Sequence, residues 1–494
     1  MVRLFALALF AALLPGLAAA DPAKDTLSLG MVLEPPVLDP TANAAAAISE
    51  IVYANVFEGL VRIDSAGRVQ PALAQSWTIS PDGLTYTFHL RHDVTFSDGT
   101  KFDCAIVQFS YGRAAAPDSI NPQKQFFLPI TSTTCPNPYT AVVTLKESRS
   151  NFLFDMGWAD AVMVAPNSEP TNKTHPIGTG PFLFQRWLRG DRVELVRNPH
   201  YWGRPAKLKS VTFRFIADPS AATDALLAGD LDAFPLFPAP EAVARFKSDP
   251  RFHVAIGTTE GKTILALNNT RKPFTDLRVR RALAYAIDRK ALIEGAMSGY
   301  GTPIGSHYVP IDPGYIDLTG LYPYDPAKAR TLLAAAGIKP GTTLTLTLTL
   351  PPPPYARRGG EIIAAMLQQV GLNVKLVPIE WAQWLDQVFK RSDFDMTIVA
   401  HVEPRDLDIY ARPHYYFEYH SAAYDKLYAE YASARSDTEK LTLVKALQRK
   451  LAEDEPNVFL FALPKIGIWN AKLHGLWTDD PLPVNDVTDV YWAP

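Results

Sequence analysis

The stretch KTILALNNTRKPFTDLRVRRALAYAID occupies residues 262–288. Its segment 264–268 is apolar and bounded by polar residues, a pattern typical of a short buried strand. Pro273 ends an extended run, and either Thr275 or Asp276 can cap a following helix, because both side chains accept hydrogen bonds from free backbone N–H groups. Hairpins and irregular strands precede this stretch, and strand–helix–strand units follow it. The sequence therefore predicts that the chain crosses here between two lobes.

Length and composition support the division into lobes. The chain has 494 residues, of which 47% are hydrophobic, and this is too long for a single core. The formal net charge is −3 at pH 7, whereas a nucleic-acid-binding surface needs a basic excess. At least two lobes and no nucleic-acid partner are therefore expected.

Residues 1–20 have the pattern of an export signal peptide. Arg3 provides a charged start, 4–14 is an apolar run, and 18–20 is a small-residue cleavage site. The run is too short to cross a bilayer, and no cysteine lies near the cleavage site to carry a lipid. We expect a mature protein that begins near Asp21 and is exported, periplasmic and soluble, without a lipid anchor.

Two cysteines, Cys104 and Cys135, are present in the whole chain. In an exported protein they are expected to form one disulfide, and two unpaired buried thiols are the alternative. Both fall in the N-terminal half, so the bond would be structural and not catalytic.

The N-terminal half is rich in strand and turn signals. Residues 26–33 are predicted to be a strand and 48–60 a helix, and 71–91 have the alternation of a β-hairpin. The turn of that hairpin contains Pro81, which presets its own backbone angle, and Gly83, which accepts a positive φ.

The C-terminal half alternates strands with helices, which predicts a sheet covered by helices. Val279, Leu283 and Ile287 are four residues apart and share one helix face. The further predicted helices are 325–337, 361–370, 381–389, 421–435 and 437–454. The predicted strands are 343–350, 373–379, 394–400 and 458–469, of which the last is expected to be a second crossover.

A series of motifs lies at residues 71–77 (PALAQSW), 82–83, 90–99, 176–182 (PIGTGPF), 197–202 (RNPHYW), 218–232, 279–288 and 325–337. Together these motifs resemble family 5 solute-binding proteins, which serve ABC importers for dipeptides, oligopeptides and nickel. They occur in the family's order and cover nearly the whole mature chain. The resemblance implies an α/β, two-lobed periplasmic binding protein fold of type II, of the large cluster with an extra N-terminal subdomain, whose lobes are joined by two crossover strands.

The resemblance also implies a division of the chain. Residues 1–20 would be the signal peptide, 21–266 lobe I with the extra subdomain at 50–175, 267–465 lobe II, and 466–494 a return to lobe I.

The implied function is that of the substrate-binding component of an ABC importer. It would capture a short peptide or peptide-like solute in the interlobe cleft and deliver it to permease subunits in the inner membrane, as a monomer without a cofactor or catalysis. The sequence leaves open the same fold binding an opine, a sugar or a nickel chelate, a secreted hydrolase, and a chaperone. No Gly-x-Ser-x-Gly, His-Glu-x-x-His or cysteine-cluster motif supports a hydrolase.

The loop that begins at His401 follows a predicted strand, where open sheets place their ligands. Peptide-binding relatives have a Trp-x-x-Asp-like segment here, whose aspartate pairs with the α-amino group of the ligand. His401 takes the place of the tryptophan, so the resemblance leaves Glu403, Asp406 and Asp408 as alternatives for the carboxylate. Arg405 can hold a ligand carboxylate through two parallel hydrogen bonds. A solvated loop with internal ion pairs is the alternative interpretation.

Trp381, Tyr410 and Glu34 complete the candidate ligand-binding residues. Trp381 shares a helix with Trp384 at a spacing of three, so core packing is the alternative role for it.

Three residues near the end of the same loop, His414, Glu418 and His420, are of types that bind nickel or zinc. Their spacing fits neither one helix face nor one strand face. No metal site is therefore expected.

Export can be tested on the protein recovered from the periplasm. We expect intact-mass measurement to show a chain that begins at Asp21, because cleavage should follow the small residues 18–20. A chain that retains residues 1–20, or one that carries an acyl group at its terminus, would contradict the predicted localisation.

Overall fold

The structure is a computed structural model that describes residues 24–149, 151–339, 344–434 and 436–493; the predicted signal peptide, residues 1–20, lies outside them. The strands are β1 Thr26–Met31, β2 Val61–Ile63, β3 Val69–Pro71, β4 Ala74–Ile79, β5 Thr85–Leu90, β6 Ile130–Asn137, β7 Thr140–Leu145, β8 Phe182–Leu188, β9 Arg192–Arg197, β10 Ser210–Phe215, β11 Ala233–Phe234, β12 Phe252–Leu267, β13 Thr302–Pro303, β14 Thr345–Leu350, β15 Asn373–Pro378, β16 Met396–His401, β17 Asn457–Asn470, β18 Leu473–His474 and β19 Tyr491–Trp492. The α-helices are α1 Ala46–Val52, α2 Cys104–Ala115, α3 Lys124–Phe127, α4 Phe152–Asp155, α5 Pro219–Ala228, α6 Val243–Lys247, α7 Leu277–Ala286, α8 Arg289–Met297, α9 Pro326–Ala335, α10 Pro354–Gln369, α11 Trp381–Trp384, α12 Ala422–Ser433 and α13 Asp437–Asp454. A π-helical turn, Leu385–Lys390, continues α11. In the described part of the chain, no helix combines the length and the apolar content needed to cross a bilayer.

One mixed sheet of eleven strands runs through the molecule in the order β15-β14-β16-β12-β17-β11-β1-β10-β9-β8, with β13 paired to β17. The strands β14 to β16 belong to lobe II, and β1 and β8 to β11 belong to lobe I. Each lobe has its own buried core, around Leu29 and Phe213 in lobe I and around Leu283 and Leu348 in lobe II. The long antiparallel strands β12 and β17 connect the two halves of the sheet, and they are the two crossover strands.

The pairing of β12 with β17 changes register between Thr258 and Lys262. Such a shift marks a β-bulge, which bends the strand. Beyond the shift, from Lys262 to Leu267, β12 also pairs with β16 of lobe II. The bulge therefore lies where the sheet passes from one lobe to the other. The predicted strand 264–268 is the end of a longer strand that begins at Phe252.

A separate four-stranded sheet, in the order β4-β5-β7-β6, forms a subdomain of lobe I together with α2. Phe88, Tyr111 and Phe127 are fully buried in its core. A disulfide joins Cys104, the first residue of α2, to Cys135 on β6, with 5.7 Å between the two Cα atoms. The bond thus attaches the helix of the subdomain to the edge strand of its sheet.

Helix α1 ends at Val52, so the prediction of a helix over 48–60 is wrong beyond that residue. The chain turns to pack against the segment that contains Gly180. The carbonyl oxygen of Asn55 accepts a hydrogen bond of 2.9 Å from the backbone N–H of Phe182. A Cβ atom on Gly180 would lie 2.5 Å from the same oxygen, so this contact requires glycine. Tertiary packing overrides the helical spacing here.

Helix α10 begins at Pro354 and not within the predicted range 361–370. Pro354 is the first residue of the helix and Pro353 its N-cap. Proline suits the first turn of a helix, because that position needs no N–H donor and its φ is already helical.

The disulfide leads to a prediction about stability. Its loop spans a sequence separation of 31, and closing a loop of that size stabilises a fold by about 3–4 kcal/mol in the chain-entropy model. We expect the double variant Cys104→Ser, Cys135→Ser to unfold its N-terminal subdomain at a lower temperature than the parent, as followed by calorimetry. The parent should take up thiol reagent in denaturant only after reduction. Free labelling without reductant, or an unchanged melting profile of the variant, would contradict the prediction.

Candidate functional site

A cavity of about 380 Å3 lies between the two lobes. Its volume is in the range of pockets that bind small ligands. Its aromatic lining residues are Phe126, Phe152, Trp158, Phe389, Tyr415, Tyr428 and Tyr431. Its charged lining residues are Arg149, Asp155, Glu403, Arg405, Asp406, Asp408 and Arg412. The cavity therefore suits a ligand with both apolar surface and charge.

Side chains of the two lobes meet at this cavity. The Nδ2 of Asn151 donates a hydrogen bond of 3.0 Å to the hydroxyl of Tyr431. The guanidinium of Arg405 lies 3.9 Å from the centre of the Phe154 ring. Phe154 belongs to α4 of lobe I, and Asn151 directly precedes that helix. Arg405 and Tyr431 belong to lobe II. The lobes are thus in contact around the cavity.

Asp406 is bound by two buried residues behind the loop. The Nζ of Lys262, a fully buried residue of β12, lies 2.9 Å from Asp406 Oδ1 and donates at 2.5 Å to the backbone oxygen of Glu403. His307 Nε2 lies 3.1 Å from the same carboxylate oxygen. Burial alone would raise the pKa of Asp406, but Lys262 and His307 hold this pKa well below its ordinary value. The Lys262–Asp406 ion pair therefore attaches the loop to the crossover strand.

Two buried histidines flank this ion pair. His401 Nε2 lies 2.9 Å from the hydroxyl of Tyr416, and the hydroxyl of Tyr410 lies 3.0 Å from His307 Nδ1. Burial and the neighbouring His307 lower the pKa of His401 to about 3. Burial also lowers the pKa of His307. Both imidazoles are therefore neutral near pH 7, and they position the loop through hydrogen bonds.

His307, His401 and Asp406 have potential ligand atoms within 4.8 Å of one another, as a metal ion would require. The ammonium of Lys262 already lies against Asp406, so a divalent cation at this point would meet a buried positive charge. The cluster is better described as an internal ion-pair network than as a metal centre. Among the three metal-binding residue types noted near the end of the loop in the sequence, His420 Nε2 lies 3.7 Å from Glu418 Oε2.

The remaining charged residues of the loop face the cavity. Asp408 forms an ion pair of 2.7 Å with Arg412. Burial and the nearby Asp406 raise the pKa of Glu403. Arg405 adopts a positive φ of 56°, and its guanidinium lies over the Phe154 ring. Its charge also acts on the buried carboxyl groups of Glu260 and Asp312. Arg405 lines the cavity and can meet an anionic group of a ligand there.

Lobe I supplies two further charged lining residues, Arg149 and Asp155, which the sequence analysis did not single out. Arg149 forms an ion pair of 2.7 Å with Glu147. Burial and the neighbouring Asp408 raise the pKa of Asp155 to about 8. The available sequence signal was an acidic residue within the aromatic-rich run FLFDMGW at 152–158.

Four of the candidate residues are not among those that line the cavity. His401 and Tyr410 are buried behind the loop, where they contact its supporting network. Glu34 accepts hydrogen bonds of 3.0 Å from Trp187 Nε1 and 3.1 Å from the Gly190 backbone, outside the cavity.

The fourth, Trp381, is 43% exposed, and its ring stacks on Trp384 with 5.0 Å between ring centres. The residue of this helical segment that lines the cavity is Phe389, which belongs to the π-helical turn Leu385–Lys390. π-Helical turns are rare and occur frequently at functional sites.

A sequence profile of the family described as "Bacterial extracellular solute-binding proteins, family 5 Middle" matches residues 68–422, well over half of the chain. The chain belongs to this family. Family 5 proteins are solute-binding components of transporters, and the interlobe cavity is where this member can hold a solute. The resemblance seen in the motifs is confirmed.

Individual relatives agree with the family assignment. The glutathione-binding protein GsiB of Salmonella paratyphi A is 33% identical over 353 residues, which are 70% of this chain and 68% of that protein. The periplasmic binding protein DppA of Helicobacter pylori, solved with the peptide STSA, matches with a TM-score of 0.85 and 25% identity over 96% of this chain and 99% of that one. NikZ of Campylobacter jejuni, solved with Ni(L-His), matches with a TM-score of 0.82 and 25% identity over 95% of this chain and 99% of that one. The predicted α/β two-lobed fold is confirmed.

The buried ion pair of this family 5 protein can be tested by a double-mutant cycle. Lys262→Met should destabilise the protein by about 3–5 kcal/mol, because it leaves Asp406 buried without its partner. Asp406→Asn should also be destabilising, and the double variant should lose less than the sum of the two single effects. Chemical denaturation of all three variants measures these differences.

Lys450→Met is the matched control. Lys450 forms a partly exposed pair of 2.8 Å with Asp454 in the same lobe, so its loss should cost at most about 1 kcal/mol. Equal effects of the two lysine substitutions, or strictly additive effects in the cycle, would contradict the assigned role of Lys262.

Proposed function

We propose that this chain is the periplasmic substrate-binding component of an ABC importer for a short peptide or peptide-like solute. It binds the solute between its lobes, delivers it to permease subunits in the inner membrane, and performs no catalysis. We further propose export through a signal peptide at 1–20, with lobe I formed by 21–266 and 466–494 and lobe II by 267–465.

The observation that carries this proposal is the charge distribution of the cavity. Arg405 of lobe II faces a cavity to which lobe I contributes Asp155. A zwitterion such as a peptide needs one group of each sign, since a buried ligand charge without a partner is strongly unfavourable. The aromatic lining adds apolar surface against which side chains or the peptide backbone can pack.

The fold supplies a mechanism for capture. The lobes are joined by β12 and β17, and the bulge between Thr258 and Lys262 provides a bend at the crossing. A ligand that contacts both lobes favours the closed arrangement, because only that arrangement makes both sets of contacts. The hydrogen bond from Asn151 of lobe I to Tyr431 of lobe II also joins the two lobes beside the cavity. Release to a permease then requires the lobes to separate.

The relatives indicate which solutes belong in a first test. GsiB is named as a glutathione-binding protein, DppA was solved with a peptide, and NikZ with a nickel chelate. Glutathione and short peptides share an ammonium and carboxylates, which match the charges of this cavity. Nickel–histidine, an opine and a sugar represent the other cargoes that the fold can hold.

Calorimetric titration of ligand-free protein with these solutes tests the proposal. We expect one site for a dipeptide, a tripeptide or glutathione, and recovery of the bound compound intact by mass spectrometry. Arg405→Ala should weaken a ligand that carries a carboxylate by about 2–5 kcal/mol, since the anion loses its partner. Arg278→Ala is the control, because Arg278 pairs with Asp276 on the surface of lobe II and should leave binding unchanged. Binding of the opine, sugar or nickel chelate alone, or cleavage of a peptide, would contradict the proposal.

A further inference from the structure

We infer that Asp155 of lobe I, and not an acidic residue of the loop 403–408, is the anion that receives the ammonium group of the ligand. This inference rests on the proposed function, since it assumes that the cavity binds an amine-bearing solute. It assigns recognition of the amine to a different lobe from the one that the family resemblance implies.

The three acidic residues of the loop already have partners. Asp406 is neutralised by the buried ammonium of Lys262 at 2.9 Å, and a second ammonium would have to compete with it. Asp408 is paired with Arg412 at 2.7 Å. The positive charge of Lys262 acts on the carboxylate of Glu403 and partly offsets burial and Asp406, which raise its pKa. Each of these carboxylates is thus compensated, in whole or in part, before a ligand arrives.

Asp155 differs from Asp406 and Asp408 in having no ion pair of its own among the described residues, and from Glu403 in belonging to the other lobe. It lies at the C-terminal end of α4 and lines the cavity, where Arg149 and Arg405 only partly offset the effect of burial on its carboxyl group. The adjacent residue Phe154 carries the guanidinium of Arg405 on its ring at 3.9 Å. A carboxylate of lobe I and a guanidinium of lobe II therefore line the same cavity from opposite lobes. This arrangement is complementary to a zwitterion that bridges the lobes.

The surroundings of Asp155 couple the binding of the amine to the release of a proton. The charged groups that act on Asp155 are Asp408, Arg149 and Arg405, and the acidic neighbour Asp408 together with burial raises the pKa of Asp155 to about 8. The phenols of Tyr86 and Tyr428 also lie within its electrostatic reach. An empty site consequently holds a proton near pH 7. An arriving ammonium displaces that proton and leaves an ion pair between the ligand and lobe I.

As a consequence, each lobe binds one charged end of the solute. The carboxylate of the ligand binds Arg405 of lobe II, and its ammonium binds Asp155 of lobe I. A ligand that lacks either charge contacts only one lobe strongly and stabilises closure less.

Three forms of one tripeptide test the inference: trialanine, N-acetyl-trialanine and trialanine amide. The wild-type protein should prefer trialanine over its N-acetyl form by at least about 30-fold in Kd, because acetylation removes the ammonium. Asp155→Asn should reduce that preference to within about threefold while it retains the preference for the free carboxylate over the amide. Glu403→Gln, the matched loop variant, should keep the wild-type preference. Circular dichroism and melting temperature verify that each variant is folded.

The outcomes separate the inference from the function on which it rests. If the wild-type protein binds none of the three peptides, the proposed function fails and the inference fails with it. If it binds trialanine and Asp155→Asn keeps the preference for the free amine, or Glu403→Gln loses it, the proposed function stands and the inference is overturned. No preference of the wild-type protein between trialanine and its N-acetyl form would also overturn the inference.

Proton release gives a second measurement on unmutated protein. Titration of trialanine at pH 7 in two buffers that differ in ionisation enthalpy should show release of up to one proton per peptide, since the proton on Asp155 leaves when the ammonium binds. Asp155→Asn should release less, and Glu403→Gln should release as much as the wild type. Release that persists in Asp155→Asn and disappears in Glu403→Gln would assign the amine to the loop and overturn the inference.

Discussion

The ion pair between Lys262 and Asp406 is the interaction on which the arrangement of the cavity depends. Both residues are buried, and their atoms are 2.9 Å apart. Lys262 lies on β12 immediately after the bulge, so the pair connects the crossing point of the sheet to the ligand-facing loop. A buried charge is tolerated only when it is compensated. The loop therefore has one position relative to the crossover strand, and Glu403, Arg405 and Asp408 are presented to the cavity from a fixed base.

This constraint separates two kinds of acidic residue in the cleft. Asp406 serves the architecture of lobe II, with His307 as a second partner at 3.1 Å. Asp155 has no such partner among the described residues, and burial keeps its pKa high. Asp406 and Asp155 have the same side chain, but their environments differ, because their partners and their solvation differ.

Local sequence rules account for much of the fold. Asp276, one of the two predicted alternatives, caps α7 through its side chain, Asp325 caps α9 in the same way, and Gly83 has the positive φ that its turn requires. These features depend only on neighbouring residues. The end of α1 was not predictable in that way, because it depends on a backbone contact with Phe182.

The candidate site, like the fold, was only partly predictable from local sequence. The sequence located the loop 403–408, which faces the cavity, since strand order predicts where open sheets place ligands. It did not identify Lys262 as the partner of Asp406 or Asp155 as a lining residue. Each of these depends on long-range packing between segments separated by more than a hundred residues, as the hydrogen bond from Lys262 to Glu403 illustrates.

The π-helical turn Leu385–Lys390 has a consequence for how this cavity could diverge among relatives. A π turn contains one residue more than an α turn, so side chains within it project in directions that an α-helical register would not give them. Phe389 reaches the cavity from within that turn. Deletion of a single residue before Phe389 would change the direction in which its ring projects. The volume of the cavity can thus change in one evolutionary step, without any change in the charged residues around it.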